Sequence, residues 1–452
     1  MEGCIVIRQR LWGVMLLSAV AMYLWTGSDV KKHGSSRDSG PNVMLITLDT
    51  TRLDAIGAYG GGNLTPNIDR LAQEGARFTQ AISTAPITQP AHLGILTGEP
   101  PYRSGVVTNG TEIGDRPGIL ARRLQSEGWV TAGFVSAYPL TGRFGWGQGF
   151  DHFDDQLKVG LLGSGRERAG RLTVDRALAW LKVHRKERWA VWVHLFDPHG
   201  PYEAPGRPID GSTVGEALDV PAYWPDEHKA ITDLEWFAEA YRAEVREVDA
   251  QVGRIVAALE AEGTLDDTLV VVTADHGESL TEHGYLFDHG DHLYDASLRV
   301  PWLVRWPAAV GAGETIDCSV STASVAPTIV GLLGLADDTP PWAADLAAVL
   351  RGQTSCTDVE VLSSTVTEKF RDPPPIAHAL RSPTGKHLRP AVGQDICFDL
   401  LVDPNENDPL SVCDAATALR LDESLVGRVP VRPPQDDAET QKALEELGYI
   451  EP

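Results

Sequence analysis

Three short apolar runs each end on an aspartate. Asp49 follows "VMLITL", Asp197 follows "AVWVHLF" and Asp275 follows "LVVVTA". In open α/β sheets, sites form at the carboxyl ends of the strands, and these carboxylates would converge there. Three of them on one edge repel unless a cation sits among them. Asp275 is followed at once by His276, which adds a nitrogen ligand. Two carboxylates, an imidazole and a hydroxyl suit Mn²⁺ or Zn²⁺ better than the all-oxygen cage of Ca²⁺. The hydroxyl is Thr88, in "STAPITQPAHLGILTG" from Ser83 to Gly98. Pro90 suits the first position of a short helix there. Unpaired N–H groups at a helix start favour an anion. Thr88 therefore reads either as a helix cap or as a nucleophile, and Asp49-Thr50-Thr51 either as a cap or as a metal-binding turn.

Residues 42 to about 310 alternate apolar runs with helical periods. "NVMLITLD", "VTAGFVSA", "WAVWVHLFD", "TLVVVTAD" and "VPWLVRWP" are β-branched and apolar on both faces, which predicts parallel strands covered by helices. "TPNIDRLAQEG", "GILARRLQSEG", "RLTVDRALAWLKVH" and "EAYRAEVREVDAQVGRIVAALEAEG" have apolar residues at three- and four-residue steps, and three of them end in a helix-stopping Gly. The fold class expected is α/β: a doubly wound, mostly parallel sheet flanked by helices over residues 42–350. Beyond residue 350, "DVEVLSSTV", "AHALRSP", "KHLRP" and "ICFDLLVDP" predict short strands and "AETQKALEELGYI" a closing helix. They give a smaller C-terminal α+β subdomain over 351–452. Residues 155–175 and 203–235, rich in Gly or in Pro and Asp, predict loops.

The 452-residue chain is long enough for a large core, and its formal net charge of −24 argues against nucleic-acid binding. An anionic substrate then needs a local positive feature such as a metal, a helix start or a histidine. Arg8 and Arg10 precede the apolar run Leu11 to Trp25, and a polar stretch follows to Pro41. Residues 1–41 thus read as a signal peptide or signal anchor plus linker, which predicts an exported chain with possible membrane attachment. Past the run, Cys318, Cys356, Cys397 and Cys413 allow up to two disulfides or four buried thiols. Cys397 and Cys413 bracket a loop that they could staple, and the absence of CxxC spacing argues against a thiolate metal site.

From residue 42 onward the chain resembles the sulfatase family of the alkaline phosphatase superfamily. The resemblance rests on "NVMLITLDTTRLDAIGAYG", "TPNIDRLAQEGARFTQAISTAP", "ILTGEPPYRSGV", "HLFDPHGPY", "TLVVVTADHGESLTEHG", "HGDHLYDASLRVPWLVRWP", "CFDLLVDPNEND" and "LEELGYI". It implies that Asp49, Asp275 and His276 bind the metal and that Thr88 stands at the nucleophile position. It also implies that His289 contacts the substrate anion. The Asp197-Pro198-His199-Gly200 stretch lacks the Asp-x-x-x-His spacing of two-metal relatives, so one divalent ion is expected. His199 is the candidate general acid for the leaving group or else a turn residue. Asn109 is a donor to a non-bridging oxygen or a turn former before Gly110.

The nucleophile position departs from the family. Sulfatases carry Cys or Ser there, followed by x-Pro-x-Arg, and convert it to formylglycine. This chain reads Thr88-Gln89-Pro90-Ala91-His92, so no Cys is available to oxidise, and His92 stands where Arg is expected to meet the substrate. A formylglycine hydrate expels sulfate by breaking its own C–O bond. A threonine ester cannot, so water must displace the bound group from Thr88. That route is familiar for phosphoryl groups. The expectation is a metal-dependent hydrolase of phosphate or sulfate esters, with phosphoesters favoured. The alternatives are an arylsulfatase-like enzyme, an envelope phospho-headgroup transferase and a binding module that retains the scaffold without activity.

Overall fold

The computed structural model describes residues 40–157, 166–202, 218, 220–221, 223–336, 339–367 and 375–449. The apolar run Leu11 to Trp25 lies outside the described residues, as do 158–165 and 203–217 of the two expected loops. The first of those stretches is also part helix, because Gly170–His184 begins inside it. Among the described residues no helix is long and apolar enough to cross a membrane.

Eight strands form the main sheet: β1 (Asn42–Leu48), β2 (Ala76–Ile82), β3 (Val130–Phe134), β4 (His152–Asp154), β5 (Trp189–Leu195), β6 (Thr268–Ala274), β7 (Arg299–Arg305) and β8 (Glu314–Ser321). Their order is β4-β3-β5-β1-β6-β7-β2-β8. Strands β1, β5 and β6 are buried along their whole length, as their apolar sequences require when both faces are covered. Helices Pro66–Glu74, Gly170–His184 and Leu234–Ala261 pack together, and helix Thr88–Thr97 packs with Leu120–Ser126 and Val325–Leu332, so two groups flank the sheet.

One expectation needs correction. β7, read as parallel, runs antiparallel to both β6 and β2. The segment between β6 and β7 holds only single-turn helices, Glu282–Gly284 and Asp295–Leu298. A parallel return usually packs a full helix across the sheet face, and without one this chain returns antiparallel.

Beyond the main sheet, β9 (Val361–Val366), β10 (Ile376–Arg381), β11 (Gly385–Arg389) and β12 (Ile396–Asp399) form an antiparallel sheet in the order β12-β11-β10-β9. The Ser364 N–H donates to the Thr84 carbonyl at 3.0 Å, and the Ser363 hydroxyl to the Ser83 carbonyl at 2.6 Å. The small sheet thus clamps the segment that leads into Thr88. Two disulfides, Cys318–Cys356 and Cys397–Cys413, pair all four cysteines beyond the apolar run. The second closes the loop its cysteines bracket.

Lys386 of β11 has no side-chain exposure and lies 2.6 Å from both Asp295 and Glu406. Arg381 reaches Asp295 from β10 at 3.1 Å. Removing one partner of a buried ion pair leaves an uncompensated charge. Lys386→Met is therefore expected to cost about 3–5 kcal/mol, read from the urea unfolding midpoint.

Candidate active site

Residues 48 and 274 are paired in register on the adjacent parallel strands β1 and β6. Asp49 and Asp275 therefore leave the sheet side by side. Asp197 does not join them. Its carboxylate turns away and accepts the Gly170 N–H at 2.9 Å, satisfying the start of helix Gly170–His184. A Cβ at position 170 would sit 2.2 Å from Asp197 Oδ2, so only glycine permits this approach. Burial pushes the Asp197 carboxyl up to about 6 against the pull of that N–H.

The Asp49, Asp275 and His276 side chains have no exposure, and one polar atom from each lies within 4.8 Å of the others. His276 Nδ1–H donates to the Gly277 carbonyl at 2.9 Å, so Nε2 is the end that faces the carboxylates. Asp275 Oδ1 accepts the His276 N–H at 2.7 Å. Asp275 Oδ2 lies 3.4 Å from His276 Nε2 and 3.3 Å from His92 Nδ1. Yet Asp49 Oδ1, Asp275 Oδ2 and His276 Nε2 have no hydrogen-bond partner among the described residues. Three buried polar atoms thus face one another unsatisfied. Such an arrangement fits a cation. In the bare protein, burial and then Asp275 hold the Asp49 carboxyl well above the usual carboxylate range. Burial also raises Asp275, but His276 and His92 outweigh it and hold that carboxyl low.

Two histidines brace the carboxylates. His194 of β5 accepts the Ser136 N–H on Nδ1 at 3.3 Å, so its Nε2–H donates to Asp49 Oδ2 at 3.1 Å. His92 Nδ1–H donates to the Thr88 carbonyl at 2.8 Å, and its Nε2 accepts the Thr47 hydroxyl at 3.0 Å. Both nitrogens of His92 are thus engaged with protein. The expectation that it meets the substrate is replaced by a bracing role behind Asp275.

Thr88 opens helix Thr88–Thr97 and makes no capping bond. Pro90 is the third helical residue rather than the first, still within the turn whose N–H groups lack helical acceptors. The Gln89 N–H instead donates to Asn109 Oδ1 at 2.8 Å, and the Gln89 side chain exchanges two 3.1 Å bonds with the Thr111 backbone. Asn109 therefore fixes the helix start, while its buried Nδ2 has no partner among the described residues. The Thr88 hydroxyl lies 3.0 Å from the Tyr449 hydroxyl, which lies 3.1 Å from His199 Nε2. His199 Nδ1–H donates to the Gly200 carbonyl at 2.7 Å, so Nε2 is the end that faces Thr88. Burial, then His289, keeps His199 well below the usual histidine range.

His289 Nδ1 lies 3.2 Å from Glu278 Oε1, and its ring lies 4.6 Å from that of His276 and 4.9 Å from that of His199. His194, Glu278 and Tyr449 were not singled out from the sequence. The one usable signal was His194 itself, a lone polar ring in an otherwise apolar strand, which needs a buried partner.

The carboxyl edge of this α/β sheet thus brings a buried carboxylate–imidazole cluster beside a hydroxyl on a helix start, an arrangement that suits ester hydrolysis. The chain belongs to the sulfatase family, whose profile matches residues 41–335. The ulvan-active sulfatase of Formosa agariphila is 25% identical over 442 residues, covering 90% of this chain and 82% of that protein. The uncharacterized sulfatase YidJ of Escherichia coli is 27% identical, covering 65% and 67%. The crystal structure of the phosphonate monoester hydrolase of Agrobacterium radiobacter shares the fold with a TM-score of 0.69 at 21% identity, covering 85% of this chain and 94% of that one. The protein is thus a sulfatase-like ester hydrolase.

Two outcomes follow. Saturating Mn²⁺ or Zn²⁺ at about a hundred times its Kd is expected to raise unfolding free energy by about 2.7 kcal/mol, and Asp275→Asn to remove the rise. Separately, burial pushes Glu278 up to about 8 from its ordinary 4.5, against His276 and Arg52. The folded chain then holds a proton that the unfolded chain has released, so stability falls as pH rises between those values. In EDTA the fall is expected to approach about 1.4 kcal/mol per pH unit and to flatten in Glu278→Gln, as urea midpoints across that range would record.

Proposed function

We propose that this chain hydrolyses phosphate esters through a covalent intermediate on Thr88, with one divalent ion held by Asp49, Asp275, His276 and the Thr88 hydroxyl. The buried, unsatisfied Asp49–Asp275–His276 cluster beside a hydroxyl at a helix start carries this proposal. Mn²⁺ or Zn²⁺ in such a site supplies Lewis-acid polarisation and makes a bound hydroxyl easier to deprotonate.

The protein's own residues account for the remaining chemistry. Thr88 Oγ1 attacks phosphorus, and the side-chain donors around it stabilise the developing charge. Asn109 Nδ2 and His289 bind the non-bridging oxygens. His199 Nε2 serves the leaving oxygen. Water then displaces the phosphoryl group from Thr88, the step that a threonine ester requires and a formylglycine ester does not. Threonine at this position favours phosphate over sulfate, and the fold shared with a phosphonate monoester hydrolase accords with that preference. The intact acceptor cluster weighs against an inactive binding module. The two disulfides and the basic-then-apolar leader support an exported enzyme with possible attachment to a membrane.

The test is a short substrate pulse followed by intact mass analysis. Metal-loaded protein given nitrophenyl phosphate mono- and diesters is expected to gain one phosphoryl group on Thr88, and Thr88→Ala to gain none and turn over nothing. Turnover of the sulfate ester alone would reassign the chain to sulfuric esters.

A further inference from the structure

Burial and His289 keep the His199 ring neutral, and its Nδ1–H is engaged by the Gly200 carbonyl. A neutral imidazole in that tautomer has only a lone pair at Nε2. It has no proton to give a leaving group until it receives one. The Tyr449 hydroxyl faces that lone pair at 3.1 Å and therefore donates to it. The Tyr449 oxygen is then the acceptor for the Thr88 hydroxyl at 3.0 Å. Donor and acceptor roles run one way along the chain, from Thr88 through Tyr449 to His199.

We propose that Tyr449 is a catalytic residue whose hydroxyl carries the Thr88 proton to His199. As the Thr88 Oγ1–P bond forms, the Thr88 proton passes to the Tyr449 oxygen, and the Tyr449 proton passes to His199 Nε2. The bond from phosphorus to the leaving oxygen breaks, and the imidazolium gives its proton to that oxygen. Tyr449 gains one proton as it loses another and is never charged. In the second half, water attacks phosphorus and gives a proton to His199, and the relay runs backward to restore the Thr88 hydroxyl. The segment that supplies Tyr449 is held by its own core contacts. Leu444 and Leu447 are buried, and Asp437 caps helix Ala438–Glu446 by accepting the Thr440 N–H at 3.0 Å.

The relay rests on Thr88 being the nucleophile and His199 the leaving-group acid. Tyr449→Phe keeps the buried ring and removes only the hydroxyl, so the thermal unfolding midpoint is expected unchanged. Single-turnover cleavage of an alkyl phosphate diester is expected to fall about 100-fold, and that of the nitrophenyl ester less, because nitrophenoxide leaves without a proton and only the removal of the Thr88 proton is then slowed. In a His199→Gln background the Tyr449→Phe change is expected to cost almost nothing more on the alkyl ester, since a broken relay cannot be broken twice. Equal losses on both esters, or additive losses in the double variant, would overturn the relay in favour of a packing role. Full activity of Thr88→Ala would instead overturn the nucleophile assignment beneath it. Should Tyr449→Phe unfold, Tyr449→His, which keeps a ring and a donor, decides the matter: an alkyl-ester rate above that of His199→Gln supports the relay, and an equal rate sinks it.

Discussion

A local shortage of donors organises this molecule. Asp49, Asp275 and His276 bring unsatisfied polar atoms together in a buried place. Left alone, such a cluster is held apart by repulsion and desolvation, and the fold must supply compensation from behind. It does so with histidines in fixed tautomers. His194 gives its one N–H to Asp49, and His92 presents an N–H between the Thr88 carbonyl and Asp275. Neither ring has a proton left over for the front of the site. The back of the cluster is thus satisfied and the front is not, which is the asymmetry a cation requires.

The sheet order explains why two carboxylates meet there and a third does not. β6 and β5 flank β1, so all three strand ends lie at one edge. Asp49 and Asp275 follow their strands immediately, whereas Asp197 sits one residue further on, past Phe196. That extra residue takes its carboxylate to the start of helix Gly170–His184. Thr88 is positioned by a separate device. Gln89 and Asn109 bolt the helix start to the loop at 109–111, and the small sheet clamps the residues before it. Site geometry therefore depends on two sheets at once.

Much of this was legible in the sequence because periodicity and strand-end chemistry are local. Runs such as "LVVVTA" declare both a buried strand and the aspartate that ends it. The antiparallel β7 was not legible, since an apolar strand looks the same in either direction and only the lack of a crossover helix before it decides. The role of Asn109 was half legible: the turn reading and the ligand reading each describe one end of the same amide. Tyr449 could not be placed at all. It lies 361 positions from Thr88, and its segment reads as an ordinary amphipathic helix followed by a glycine stop. Only tertiary packing brings its hydroxyl to Thr88.

Threonine in place of formylglycine changes what the surrounding protein must do with protons. An aldehyde hydrate breaks its own bond to release product, whereas an esterified threonine must be freed by an external water. That water has to lose a proton at the moment it attacks. A permanently charged imidazolium at position 199 would suit the first half of the cycle and obstruct the second. On the mechanism we propose, a buried His199 is the reverse: it is a ready base for the water and becomes an acid only when Thr88 gives up its proton. Burial of that ring, which looks like a handicap for a leaving-group acid, would then let one histidine serve both halves of a threonine cycle.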